Sequence, residues 1–315
     1  MKFVPPAIQK PFLSSRASFK WPASRALRMI SRLNRPLVLL WASLLLLGVG
    51  PGLRQANAAT FYVSKSAPPG GDGTSWTTSF RDLHAALNAA SSLPPLDTIR
   101  VGQGTYSPSE ASDPPLTLPL RFKDAAKGAN DKISEDNFTF NMSNPGIVAG
   151  GFAGFGTADP DERDVEQFET ILSGDSVSDH VVVVRGNSRP LIDGFTIANG
   201  LYDSFDDSVL DYGQGMVVTG LSNPVVQNCT FRDNQGPGDG AGLSIDNGSS
   251  ATIRNCKFIA NRSTSGKGGG FSSVQGGVLL TNCLFLKNQA LLDGGGVTGS
   301  GLTLINLDAP SLRET

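Results

Sequence analysis

"QNCTFRDN" (227–234), "RNCKFIAN" (254–261) and "TNCLFLKN" (281–288) are one frame written three times. The cysteines fall at 229, 256 and 283, a spacing of 27 residues each time, with Phe two positions on and Asn five positions on. The frame extends outward. "PLIDGFTI" (190–197) matches "PVVQNCTF" (224–231), and "GLTLINL" (301–307) matches "GVLLTNC" (277–283). A glycine-rich partner recurs between the cysteines: "GQGMVV" from 213, "GDGAGLSI" from 238, "GKGGGF" from 266 and "DGGGV" from 293. Self-similarity at 20 to 50 residues is the signature of a stacked repeat, and strand-rich units separated by Gly and Asn indicate a solenoid of β coils.

Side-chain parity sharpens the reading. If Ile253 points inward, strict alternation buries Lys257 and exposes Cys256 and Phe258. A left-handed bend at Asn255, a conformation that Asn and Gly tolerate best, shifts the phase by one. Cys256 and Phe258 then face inward and Lys257 faces water. The same shift fits Asn228, Asn282 and Asn306, and Gly194 takes the position in "LIDGFTI". The fold expected is all-β: a right-handed parallel β-helix with a one-residue turn between two of its sheets. Cys229, Cys256 and Cys283 become neighbours in an internal stack, about 4.8 Å apart along the axis. Phe231, Phe258 and Phe285 form the next internal stack, and Asn234, Asn261 and Asn288 a polar ladder. Cysteines in a packed core are ordinarily inert. Neighbouring coils would nonetheless place one pair within disulfide reach, with the third thiol left over.

Residues 1–58 stand apart, with nine Lys or Arg and no acid around the apolar run "LVLLWASLLLLGVG" (37–50). Fourteen residues suit a signal-peptide core better than a bilayer span, and Ala56-Asn57-Ala58 fits a cleavage site. The segment is therefore read as an export leader, with Met29 an alternative start; an uncleaved anchor helix is the competing reading. Without it, residues 59–315 carry 17 basic and 28 acidic residues, a balance of −11. Such a chain is unsuited to nucleic acid. Only His84 and His180 are available for histidine chemistry.

With those residues in view, the chain resembles the right-handed parallel β-helix, pectin lyase-like proteins of bacterial surfaces. It is similar in particular to the repeats of chlamydial polymorphic outer membrane proteins, which pair a Gly-Gly-Ala-aliphatic motif with Phe-x-x-Asn. The second motif reads here Phe231 to Asn234, Phe258 to Asn261 and Phe285 to Asn288. The first, a looser match, reads Gly240-Ala241-Gly242-Leu243, Gly268-Gly269-Gly270-Phe271 and Gly294-Gly295-Gly296-Val297. "TFYVSKSAPPGGDGTSW", "FRDLHAALNAA", "DTIRVGQGTYSP", "IVAGGFAG" and "ETILSGD" resemble the leading segment of large secreted β-helix proteins of environmental bacteria. The resemblance spans about residues 60–307. It implies export to the cell surface or medium, and an adhesive, structural or carbohydrate-binding role. A polysaccharide lyase or hydrolase is the alternative, because this fold hosts both.

The implied organisation is a cap and first coil over 59–106, a Pro-rich excursion over 107–136, coils over 137–307 and an irregular end over 308–315. The end lacks the Phe-x-x-Asn frame and is expected to be truncated, poorly ordered and uncapped. "SFRDLHAALNAA" (79–90) reads as an amphipathic capping helix, with Phe80, Leu83, Leu87 and Ala90 on one face and Ser79 as N-cap. Asp82 then compensates the helix dipole, and His84 lies on the surface. Lyases of acidic polysaccharides need acidic calcium ligands and a base, and the hydrolases need paired carboxylates. Asp193 and Asp233 point outward, separated and without an evident partner in the neighbouring coil, Arg254 and Lys257 face uncharged positions, and no catalytic residue is assigned. Contact with a polysaccharide or cell-surface ligand is expected instead from the insertion "LYDSFDDSVLDY" (201–212). It adds about seven residues between two coils, since one frame advances 34 residues there and its neighbour 27. Loops on rigid scaffolds are where binding concentrates. Tyr202, Phe205 and Tyr212 could stack on sugar rings, and Asp203, Asp206, Asp207 and Asp211 could hold calcium. A solvated acidic loop with its aromatics packed on the scaffold is the competing reading.

Overall fold

The left-handed bend anticipated at Asn255 recurs in every coil where it was placed. The computed structural model describes residues 57–90, 96–109, 139–202 and 212–308. Asn228, Asn255, Asn282 and Asn306 have φ between 51° and 54°, and Gly194 has φ of 80°. Gly194, Asn228, Asn255 and Asn282 each separate a strand of an eight-stranded sheet, A, from a strand of a six-stranded sheet, B, and Asn306 leads from sheet A to a single bridge between Asp308 and Leu284. Sheet A stacks Thr60–Val63, Thr98–Gly102, Ile147–Phe152, Leu191–Asp193, Val225–Gln227, Ala251–Arg254, Val278–Thr281 and Leu302–Ile305. Sheet B runs from Gly104–Tyr106 to Leu284–Leu286. A second six-stranded sheet, C, runs from Phe140–Asn141 to Val297–Gly299, and a three-stranded sheet, D, joins Gln235–Gly236, Arg262–Ser263 and Gln289–Ala290. All pairings within these sheets are parallel, and neighbours in a sheet come from successive coils. This is a right-handed parallel β-helix.

Register aligns like with like. Phe231, Phe258 and Phe285 face one another across sheet B. Their rings stack at 4.9 and 4.6 Å with interplanar angles of 6° and 2°. Cys229, Cys256 and Cys283 sit one residue before those strands, buried and free. Burial pushes the Cys256 thiol pKa well up, which keeps it protonated and unreactive. Lys257 and Arg254 are exposed, as the parity required.

The asparagine of Phe-x-x-Asn and the glycine motif are two halves of one device. Asn234 and Asn261 are fully buried and Asn288 nearly so. Asn234 Nδ2 donates to Asn261 Oδ1, and Asn261 Nδ2 to Asn288 Oδ1, both at 2.9 Å. The same Nδ2 groups donate to the Ile197 and Phe231 carbonyls, and Asn288 Nδ2 to that of Phe258. The ladder leaves no room beside it. A Cβ on Gly242 would lie 3.0 Å from Asn261 Cγ, and one on Gly270 3.1 Å from Asn288 Cγ.

A second row of left-handed residues precedes this ladder: Asp233, Ala260 and Lys287, with φ of 57°, 55° and 57°. It turns the chain from sheet B into sheet D and is not evident from residue type, because Ala and Lys do not favour that region. The two rows make opposite predictions. Ala260→Gly should stabilise by about 0.5–1 kcal/mol, since Gly adopts this φ without strain. Asn255→Val should destabilise by about 1 kcal/mol or more. Urea titration of both variants checks the signs, and a destabilised Ala260→Gly would contradict the assignment.

The cap differs from the sequence reading in two respects. Its helix is Leu83–Ala89, and its N-cap is Asp82, whose Oδ1 accepts the Ala85 N–H at 2.9 Å. Ser79 is not the cap because Phe80 is still extended, bridged to Val63 and hydrogen-bonded to Tyr62 and Ser64. His84 is buried rather than on the surface. Its Nε2 lies 3.1 Å from the Pro108 carbonyl oxygen, and its ring centroid 4.7 Å from that of Phe140. The helix packs on Thr60–Val63, Thr98–Gly102 and Phe140–Asn141, closing the first coil as expected. The leader, the bulk of the Pro-rich excursion and residues 309–315 lie outside the described residues. Among the described residues, no helix is long and apolar enough to cross a membrane.

Candidate functional site

Because the strands of sheet A are in register, their outward side chains form continuous columns. One column reads Tyr62, Arg100, Ala149, Asp193, Gln227, Arg254, Thr281 and Ile305. Two residues earlier a second column reads Thr60, Thr98, Ile147, Leu191, Val225, Thr252, Leu279 and Thr303, aliphatic over Ile147, Leu191 and Val225 and again at Leu279. Beyond the polar column stands the outer asparagine row. Asn255 Nδ2 donates to Asn228 Oδ1 at 3.2 Å, Asn282 Nδ2 to Asn255 Oδ1 at 3.3 Å, and Asn306 Nδ2 to Asn282 Oδ1 at 3.1 Å. Ile147, Leu191 and Val225, and beyond Thr252 also Leu279, thus lie beside amides and a guanidinium.

Asp193 anchors this face. Its carboxylate accepts from Gln227 Nε2 at 2.9 Å and Asn228 Nδ2 at 2.8 Å, and pairs with Arg163 at 3.1 Å. Arg254 Nε in turn donates to Gln227 Oε1 at 2.7 Å. The expectation that Asp193 lacks a partner is therefore incorrect. Gln227 and Asn228 belong to the next coil, and Arg163 to a loop that the repeat does not predict. That loop leaves sheet A after Phe152, near where the register shifts, and rejoins the stack in sheet B at Thr170. Asp164 shapes it: the Gln167 and Glu166 backbone N–H groups both bond its carboxylate and hold its pKa below the usual value. Glu166 reaches the exposed Lys257 at 3.3 Å. Arg254 and Lys257 do face Gln227, Thr281, Thr230 and Leu284, as read from the sequence.

Towards the cap the same loop clasps the first coils. Asp161 accepts from Trp76 Nε1 at 3.0 Å and from Arg100 at 2.7 Å. Arg100 also lies over the Tyr62 and Phe152 rings, at 5.9 and 5.5 Å. Asp72 closes the turn before Trp76: the Thr74 backbone N–H, then the Thr78 and Thr74 hydroxyls, lower its pKa to about 2.

Of the residues expected to contact a ligand, Tyr202 and Tyr212 stand at the two ends of the insertion, each half-buried. The Tyr202 N–H donates to the Gln235 carbonyl at 3.1 Å, so the insertion departs from a backbone tied to the next coil. Asp203, Phe205, Asp206, Asp207 and Asp211, and the calcium expectation with them, lie outside the described residues. Among the described residues, no group of three or more His, Cys, Asp or Glu is placed to hold a metal ion. The outer columns were latent in the repeat, since the residues one and three before each bend are the ones that face outward.

The model of the family described as right handed beta helix region matches residues 127–308. No curated protein matches the chain. Among solved structures, the crystal structure of pectate lyase Pel9A is similar at 15% identity with a TM-score of 0.41, over 74% of this chain and 55% of that one. The chain thus spans about half the length of that lyase.

Proposed function

The chain belongs to the right-handed β-helix family, and from that premise we propose that it is an exported surface protein that binds a polysaccharide on the outer face of sheet A without cleaving it. The observation that carries this reading is the pairing of the two outward columns. Sugar rings present apolar C–H faces and hydroxyl edges, and sites for such ligands combine an apolar floor with a few placed polar groups. Leu191, Val225 and Leu279 supply the floor, while Gln227, Arg254 and the outer asparagines supply the polar edge. Asp193 holds that edge in place, its carboxylate already engaged by three side chains. The basic, apolar leading segment and the likeness to chlamydial surface repeats support export.

The test is titration of the chain against a panel of neutral and acidic polysaccharides, with products assayed in the same mixtures. Arg254→Ala combined with Val225→Asp should weaken binding about tenfold or more, the loss of one charge-assisted contact and part of the floor. No chain shortening should accompany binding. Unaltered affinity in that variant would overturn the assignment of the face. Unsaturated or new reducing ends would favour the lyase or hydrolase alternative. Deleting residues 203–211 separates this face from the insertion, because only insertion-borne recognition would be lost.

A further inference from the structure

Asn-Gly occurs twice in the chain, at 199–200 and 247–248, and the fold treats the two pairs differently. An asparagine side-chain amide is open to attack by the backbone nitrogen of the next residue, and a following glycine, lacking Cβ, hinders that approach least. Both asparagines are left-handed, with φ of 57° and 54°. There the likeness ends. Asn199 is half-buried, and its Nδ2 donates to Ser173 Oγ at 3.2 Å. Its carbonyl accepts the Ser176 N–H at 3.0 Å. The Gly200 nitrogen, the atom that would attack, donates to Asn234 Oδ1 at 3.0 Å, and the Gln214 carbonyl fills the space a Cβ would take. Asn247 and Gly248 are both exposed. Among the described residues, neither the Asn247 amide nor the Gly248 N–H has a hydrogen-bond partner. A Cβ on Gly248 would meet only Leu221 Cδ2, at 3.1 Å.

This second pair makes the step from Leu243–Ile245 in sheet C to Ala251–Arg254 in sheet A. Gly248 has φ of 70°, and the Ser249 N–H donates to the Asp246 carbonyl at 3.1 Å, which together make a type I′ turn. Neighbouring coils turn here on Gly186-Asn187, Gly220-Leu221 and Gln275-Gly276, so only this one sets asparagine before glycine. We propose that Asn247–Gly248 is a self-modification site, at which the chain deamidates without an enzyme. The Gly248 nitrogen loses its proton to solvent hydroxide and attacks Asn247 Cγ. The N–Cγ bond forms, the Cγ–Nδ2 bond breaks, and ammonia leaves with a proton taken from water. Water then opens the cyclic imide at either carbonyl, giving aspartate or isoaspartate. In sum a water is consumed and an ammonia released, with no oxidation or reduction. For the nitrogen to reach Cγ, the turn gives up the Ser249 N–H bond alone, whereas at Asn199 the bonds to Ser173, Ser176 and Asn234 must all open. Opening to isoaspartate carries the main chain through Cβ directly ahead of Ser249. That serine is fully buried, and its Oγ accepts the Ser222 N–H at 3.1 Å. Either product adds a carboxylate beside Asp246, just ahead of the strand that carries Thr252 and Arg254.

The experiment holds the full chain in warm, mildly alkaline buffer and follows its peptides by mass spectrometry, with aspartate and isoaspartate forms separated by chromatography. Asn247 should convert faster than Asn199 by about tenfold or more, the effect of the additional hydrogen bonds that must open at Asn199. In denaturant, where neither pair is held, the two should convert at similar rates. A variant exchanges the order, Asn247→Gly with Gly248→Asn, as at Gly186-Asn187. Gly and Asn both accept positive φ, so the turn is kept. Conversion at this turn should then fall by about tenfold, because any residue but glycine places a Cβ in the path of its nitrogen. If Asn247 stays intact in the folded chain while it converts in denaturant, the turn protects the site and the proposal is overturned. Equal rates at Asn199 and Asn247 in the folded chain would overturn it as well. So would an exchanged variant that converts as fast as the native chain, which would remove Gly248 from the reaction.

Discussion

Asn261→Ala should lower the melting temperature by about 10 °C or more. The side chain is fully buried and engages four groups. Its Oδ1 accepts from the Asn234 backbone N–H at 3.3 Å and from Asn234 Nδ2 at 2.9 Å, and its Nδ2 donates to the Phe231 carbonyl and to Asn288 Oδ1. Truncation strands the two donors of Asn234 and removes a donor from two acceptors, each buried group left unmatched costing ~1–3 kcal/mol. A total of roughly 4 kcal/mol corresponds to ~8–16 °C in a domain of this size. Asn261→Asp is the sharper variant. An ionised carboxylate keeps the bonds from Asn234 but turns a charge towards Asn288 Oδ1 and the Phe231 carbonyl. Burial raises the folded-state pKa of that aspartate above its unfolded value. Its stability should therefore be greatest in acid and fall as pH rises through the folded-state pKa. A flat pH profile, or a melt within a few degrees of the native chain, would mean that the ladder does not hold the coils together.

Phe258→Ala should cost about 3–5 kcal/mol, the usual range for emptying a buried aromatic site. Phe258 is sandwiched between Phe231 and Phe285 and meets Phe271 edge-on at 6.2 Å. Phe231 has a phenylalanine on one side and Ile197 on the other. Phe258→Ala should exceed Phe231→Ala by about 1 kcal/mol, the contribution of one further ring pair. Equal losses in urea titrations would show that volume alone, and not the stack, sets the energy.

The fold was legible because the repeat fixes which side chains meet. Once Asn255 is placed in a left-handed bend, the burial of Cys256 and Phe258 and the exposure of Arg254 and Lys257 follow from parity. The second bend row was hidden, since Ala260 and Lys287 take a conformation that their residue types do not announce. Ser79 looked like a cap because its side chain suits one, but the pairing of Phe80 with the first strand keeps that stretch extended. His84 looked peripheral for a related reason: a helix of seven residues wedged between the first coil and the chain near Pro108 has two buried faces. At the candidate site, Gln227 and Arg254 could be read as column neighbours. Arg163 could not, because its loop obeys no period, and a partner for Asp193 arriving from outside the repeat leaves no trace in it.

The in-register outer column gives the molecule a length scale. Sheet A has eight strands, so seven intervals of about 4.8 Å set graduations along ~34 Å of one face. A flexible loop recognises a shape, whereas a graduated face recognises a pitch. A chain-like ligand whose repeat departs from the pitch by a tenth falls out of step by about half a graduation in five. Discrimination would then grow with the number of graduations engaged, without any single contact becoming stronger. Adding or deleting a whole 27-residue unit, as separates Cys229 from Cys256, would change reach while leaving the pitch untouched.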